Sequence, residues 1–218
     1  DLRPWSNSFG DVAWWWTYPV FGEGENRQWS PHLKAFFRAD HGIVRNLGGE
    51  DWWIDGLTQL QGRITSDYQR QYDEPGLLAF PWKRAGLPIH RRLTGARWLQ
   101  GTVWCGTPGE SIGWLVWHYS DGREERVPIV YGKTTARFWG DTQQLATERD
   151  FPEPLWREHQ AKTEAGKERW LRIYRQSWAN PHPEAVVEFV DFVSNEKSPA
   201  APFLVSLCVL PAASHGAD

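Results

Sequence analysis

The chain of 218 residues lacks the features that most readily assign a protein to a class. It contains no run of 18 apolar residues, so we expect no membrane span within it. Its 24 basic and 27 acidic residues give a formal net charge of −3. This balance provides no electrostatic reason to expect nucleic acid or an anionic membrane as a partner.

Cysteine is almost absent as well. Cys105 and Cys208 allow at most one internal disulfide. Both occur in apolar runs typical of strands, at residues 101–105 and 203–210, which favours two buried free thiols. The alternative is a disulfide, which would indicate an oxidising compartment.

The motifs of common catalytic and cofactor sites are also missing. The seven histidines form neither H-x-H nor H-E-x-x-H, and no D-x-D-x-D-G loop occurs. We therefore expect no cofactor, with a structural calcium as the open alternative. The chain lacks G-x-G-x-x-G and the P-loop motif, and no nucleophile elbow is expected. Glu188 and Asp191, the best-placed strand acids, are expected on opposite faces rather than as the facing pair of a glycosidase.

What the chain does have is 16 tryptophans, 15 prolines and 20 glycines. Frequent turn residues between short apolar runs are typical of many strands and few helices. The sequence predicts eight to ten strands in an all-β antiparallel sandwich of jelly-roll type, with little helix. We expect a single domain over residues 1–218, with an irregular Trp-rich segment, residues 1–50, packed on its core.

Residues 114–139 are predicted to form the central hairpin. Asp121-Gly122 between two strand-like runs favours a type I′ turn. The first run is largely apolar on both faces, so we expect this strand to be covered on both sides. His118, in the middle of that strand, is interpreted as a hydrogen-bonded structural imidazole. Asn180 is expected to close an Asx turn before the next strand.

Other elements follow from the same patterns. Residues 31–50 are interpreted as a loop, and residues 54–65 as a strand. Gly95 is predicted to be the turn between two short strands, and residues 155–162 are expected to contain a helical turn or two. Four tryptophans in the strongest strands are expected in the core: Trp98, Trp104, Trp114 and Trp117.

Six features occur in an order that resembles one known module. They are DLRPWSN at residues 1–7, DGLTQLQG at 55–62, WHYSDGREERVPIVYG at 117–132, Trp139, SWANPHPEAVVEFVDFVS at 177–194 and PFLVSLCV at 202–209. Over nearly its whole length the chain resembles the extracytoplasmic β-sandwich module of planctomycete and verrucomicrobial FecR-like and related proteins. The resemblance implies a galactose-binding-like or jelly-roll fold, an extracytoplasmic location (periplasmic or secreted) and a carbohydrate-binding or sensing role. It implies no catalytic residues.

Two Trp clusters have the composition of a sugar-binding site. Indole rings stack on the flat C–H faces of sugars, while carboxylate and guanidinium groups bind the hydroxyls. Adjacent residues of a strand point to opposite faces, so at least one ring of each cluster is expected in the core. The predicted ligand-binding residues are Trp14, Trp15, Trp16, Arg45, Asp51, Trp52, Trp53 and Asp55.

The sequence thus predicts a non-catalytic module that binds or senses a glycan or polysaccharide. Two alternatives stay open. One is a structural or protein-interaction module whose tryptophans only build its core. The other is a carbohydrate-active enzyme, a glycosidase or lyase, whose acids come from distant loops.

Overall fold

The computed structural model describes residues 43–54, 57–71, 80–141, 147–160 and 169–212. These residues form eleven named strands and one named helix: β1 (Ile43–Leu47), β2 (Glu50–Ile54), β3 (Thr58–Gln59), α1 (Arg63–Gln71), β4 (Lys83–Val103), β5 (Ser111–Tyr119), β6 (Glu124–Val130), β7 (Trp139–Asp141), β8 (Trp156–Gln160), β9 (Arg169–Ala179), β10 (Val186–Ser194) and β11 (Ala201–Pro211). All pairings between these strands are antiparallel.

The long strand β4 links two layers of the fold. Its first half pairs with β10, and the order continues through β5 to β6. Its second half lies between β11 and β9, with β3 beyond β11 and with β7 and β8 paired to β9. The prediction of an all-β antiparallel sandwich is therefore confirmed. The hairpin β1–β2 forms a separate two-stranded sheet.

Side-chain alternation in β4 and β11 produces two hydrophobic cores, one on each face of the second layer. Trp98 and Leu204 belong to the first core, together with side chains of β5, β6 and β10. Their neighbours Leu99 and Phe203 belong to the second core, which includes β9 and the inner side of β1–β2. The β1–β2 hairpin is thus held by the far face of the β11–β4–β9 layer.

The predicted hairpin around residues 121–122 exists, as β5 and β6, but its turn is of a different type. The Gly122 N–H donates to the Tyr119 carbonyl, and the Tyr119 N–H donates to the Arg123 carbonyl. Of the loop residues, Gly122 has a positive φ (85°) and Asp121 does not. A type I′ turn needs two positive values, so the prediction is wrong; this is a three-residue loop with glycine in the left-handed position.

The prediction of a turn at Gly95 is also wrong, because β4 continues through it for 21 residues. Glycine is required at this position for another reason: a Cβ atom there would lie 2.3 Å from the Trp178 carbonyl oxygen of β9. A side chain at this position would push the two strands apart. Glycine in a strand can mark close backbone approach as well as a turn.

The strand predicted over residues 54–65 is replaced by the short β3 and the start of α1. The helix begins after Gly62, whose carbonyl accepts from Ser66 N–H at 2.9 Å and whose N–H donates to Thr65 Oγ1 at 3.4 Å. An Arg63–Asp67 ion pair of 3.6 Å spans its first turn. No helix among the described residues is long and apolar enough to cross a membrane.

The helical turn predicted in residues 155–162 is wrong, since Trp156–Gln160 form β8 on β9. The expected burial of tryptophans holds for Trp98 and Trp117, each 0% exposed. Trp104 and Trp114 are only half-buried. Both cysteines are free, as predicted, but both are exposed, so the prediction that they are buried is wrong.

Candidate functional site

The β1–β2 hairpin is made by its Gly-Gly turn. Gly48 and Gly49 have φ values of 60° and 80°, and they connect the paired residues Leu47 and Glu50. Two consecutive positive φ angles in a two-residue loop are the requirement of a type I′ turn. The expectation of a loop over residues 31–50 is therefore wrong for residues 43–47, which form β1.

The pairing register divides the side chains of this hairpin between two faces. Val44 pairs with Trp53, and Asn46 pairs with Asp51. These four side chains share the outer face, which we call the hairpin platform. Val44 is 55% exposed and Trp53 is 45% exposed, and they are the large hydrophobic side chains that stand out to solvent in the described part of the chain.

Polar groups lie beside the exposed indole of the hairpin platform. The Asn46 Nδ2 amide donates to Asp51 Oδ1 at 2.8 Å. Asp51 is two residues from Trp53 on the same face, a separation of about 7 Å along a strand. Both residues are exposed, and this hydrogen bond does not use Asn46 Oδ1 or Asp51 Oδ2, so each can accept from a ligand.

The opposite face fixes the hairpin to the sandwich. Trp52 is 2% exposed and lies in the second core. Glu50 forms ion pairs with Arg97 of β4 and, at 3.3 Å, with Arg175 of β9. The Ser206 hydroxyl donates to the Trp53 carbonyl at 2.8 Å. The backbone beneath the platform is therefore held in place, as a binding surface requires.

The predicted ligand-binding residues divide into three groups. Asp51 and Trp53 come together on the hairpin platform. Trp52 is in the core and Arg45, its half-buried register partner, shares the inner face, so neither belongs to the platform. The remaining four lie outside the described residues: Trp14, Trp15, Trp16 and Asp55.

Sequence reasoning missed Val44 and Asn46. The signal was present: in VRNLGGEDWW a Gly-Gly pair separates two runs that contain Val44, Trp52 and Trp53, residue types that are common in strands. Such a pair predicts a type I′ hairpin with a two-residue loop, and this loop length alone places Val44 and Asn46 opposite Trp53 and Asp51.

A second cluster, around His118, brings an imidazole together with two carboxylates and an ammonium group. Its Nε2 lies 3.1 Å from Asp191 Oδ2 and its Nδ1 lies 3.0 Å from Glu124 Oε1. The imidazole stacks on Phe189 with ring centroids 4.2 Å apart. Asp191 in turn accepts from Lys83 Nζ at 2.6 Å. The hydrogen bonding predicted for the His118 imidazole is confirmed, and its structural role stays a prediction.

Within the described residues, no three His, Cys, Asp or Glu side chains are grouped so as to hold a metal ion. The expectation of no cofactor, with structural calcium as the alternative, stays a prediction. No family model matches the chain, and no curated protein or solved structure matches it significantly. The resemblance to the FecR-like module likewise stays a prediction.

Proposed function

We propose that this protein is a non-catalytic carbohydrate-binding module that binds its ligand on the hairpin platform. The observation that carries the proposal is the exposure of Trp53, at 45% of its surface, on a hairpin whose other tryptophan is fully packed. Trp53 and its register partner Val44 form one contiguous exposed apolar surface on a fixed backbone, and it is contiguous surface of this kind that marks binding sites.

The chemistry of the platform suits a sugar ring. The indole of Trp53 offers an apolar face for C–H groups, and Val44 beside it extends that face across the strand pair. Asp51 and Asn46 provide oxygen acceptors for hydroxyl groups at one end. A single stacking ring with two polar partners favours a shallow contact with one or two sugar residues of a longer polymer.

The resemblance described above supports the same role and adds the extracytoplasmic location to the proposal. Its main rival is protein interaction through the same hairpin. The β1–β2 pair is a sheet of its own, and hairpin edges can receive a strand from another chain. That alternative uses backbone groups of the edge strand rather than the indole face.

Affinity gel electrophoresis on a panel of neutral and acidic polysaccharides, together with a glycan array, tests the proposal. We expect the wild type to be retarded by at least one polysaccharide and Trp53→Ala to lose that retardation. Trp114→Ala is the matched control, because it removes a half-buried indole that lies under Arg126 at 5.1 Å, away from the platform.

Retardation that is equal in Trp53→Ala and the wild type would contradict the proposal, as would a wild type that binds no glycan. Release of reducing sugars from any polymer of the panel would instead support the enzyme alternative.

A further inference from the structure

A small pocket of about 140 Å³ is lined by residues of the segment 148–154 and by one residue each of β8 and β9. Three of its lining residues are arginines, Arg149, Arg157 and Arg172, and two are glutamates, Glu148 and Glu153. The volume equals roughly four to five water molecules in the liquid, so a ligand here must be small or a single group of a larger molecule.

Two of the arginines face each other across the strands. Arg157 of β8 and Arg172 of β9 are register partners, so their side chains leave the sheet on the same face. Like charges directly opposite one another destabilise a strand pair. Glu148 compensates part of this charge through an ion pair with Arg172 Nη1. With three arginines and two glutamates, the residues that line the pocket have a net charge of +1.

Arg172 keeps unused hydrogen-bonding capacity although it is only 4% exposed. Its Nε and Nη2 atoms have no hydrogen-bond partner in the described part of the chain. These two nitrogens lie on one edge of the guanidinium, from which two N–H bonds run parallel. That geometry matches the two oxygens of a carboxylate.

A second buried donor accompanies this edge. Tyr174, two residues along β9 and so on the same face, is 1% exposed, and its hydroxyl also has no partner among the described residues. Burial raises its pKa, which keeps the hydroxyl protonated as a donor. The guanidinium carbon of Arg172, which lines the pocket, lies 5.9 Å from the centre of the Tyr174 ring, so Tyr174 lies beside the pocket. Buried donors are nearly always bonded in native proteins, so two on one face indicate a missing acceptor.

We propose that this pocket binds a carboxylate group, held by the Nε and Nη2 edge of Arg172 and by the hydroxyl of Tyr174, with Arg157 supplying further positive charge. The site is separate from the hairpin platform and does not rest on the proposed function. The carboxylate can come from a small free acid or from an acidic sugar.

Titration calorimetry at constant ionic strength tests this assignment with four probes: acetate, glucuronate, glucose and sulfate. We expect glucuronate to bind, and glucose, which lacks the carboxylate, not to bind. Acetate binding as well would show that a free carboxylate suffices, whereas glucuronate binding alone would assign the site to acidic sugars. Failure of both carboxylates, or sulfate binding as tightly as they do, would overturn the proposal.

Tyr174→Phe is the decisive variant because it removes only an unbonded hydroxyl. We expect its thermal stability to equal or exceed that of the wild type, while carboxylate affinity falls about tenfold. Tyr119→Phe is the matched control, since the hydroxyl of Tyr119 is bonded to Asn180 on another part of the fold. Arg172→Lys, which keeps the charge but loses the paired N–H edge, should weaken binding further. Unchanged affinity in Tyr174→Phe and Arg172→Lys would overturn the assignment.

Discussion

The two hairpins β1–β2 and β5–β6 both carry tryptophans, and they use them in opposite ways. In β5–β6, Trp117 is fully buried and stacks on Trp178, with ring centroids 4.6 Å apart. Even the outward Trp114 is covered, by the guanidinium of Arg126. In β1–β2 only Trp52 is enclosed, and Trp53 stands on the solvent face.

The difference comes from position in the sheets. Strand β5 has a neighbour on each side, β10 and β6, whose side chains reach over its outer face. Strand β2 has β1 alone in its sheet, so its outer side chains have few neighbours to cover them. Tryptophan content therefore does not indicate binding by itself; the number of flanking strands decides which rings are available.

The largest effect expected from this comparison is on stability. Trp117→Ala should lower the free energy of unfolding by about 3–5 kcal/mol, because it opens a cavity in the first core. Trp53→Ala should lower it by less than about 1 kcal/mol, since much of that ring is already in water. Urea denaturation of both variants measures the difference. Similar losses in the two would contradict the assigned roles.

A smaller effect is expected at the far end of β5. Asn180 Oδ1 accepts from the Tyr119 hydroxyl at 2.5 Å and from the His182 N–H at 2.9 Å, which is the predicted Asx turn. Asn180→Ala leaves a buried hydroxyl unpaired and should cost about 1–3 kcal/mol. Tyr119→Phe should cost less, because Asn180 keeps its other partners. A larger loss of unfolding free energy in Tyr119→Phe than in Asn180→Ala, measured by denaturation, would contradict the roles assigned to these two residues.

The smallest effect concerns pH. Burial would raise the pKa of Asp191, but the Lys83 ammonium and the Gly86 N–H, at 2.6 and 2.8 Å, outweigh it and hold the pKa below its ordinary value. A lowered native pKa gives stability that is present above the unfolded value, about 4, and is lost as pH falls through the native value.

Asp191→Asn should therefore lose about 1 kcal/mol at neutral pH and show a flatter decline in acid than the wild type. The free energy of unfolding measured between neutral pH and pH 2 gives both quantities. Parallel acid profiles for the two proteins would show that Asp191 does not contribute to the decline.

The fold was predictable where strand-like runs were long and apolar. Strand β5, the first run of the predicted hairpin, and strand β11, which contains the apolar run at residues 203–210, are buried over more than half of their length. Glycine was harder to interpret, because one residue type serves two purposes here. Gly95 allows close strand approach, Gly48 and Gly49 form a turn, and only the distance to another strand or the register distinguishes these uses.

The candidate site was predictable in part for a similar reason. Adjacent tryptophans in a strand must alternate, and Trp52 and Trp53 do so. Which of the two is exposed depends on where the hairpin packs against β4, β9 and β11, which involves contacts distant in sequence. The pocket at Arg172 depends on the pairing of β8 with β9, and the sequence pattern of residues 155–162 did not indicate a strand.

The most direct test of the roles assigned to the two hairpins is calorimetric titration of the best-retained glycan into Trp53→Ala and Trp114→Ala. We predict that Trp53→Ala weakens binding at least about tenfold, equivalent to 1.4 kcal/mol, and that Trp114→Ala binds as the wild type does. Wild-type affinity in Trp53→Ala, or an equal loss in Trp114→Ala, would contradict the assignment of binding to the hairpin platform.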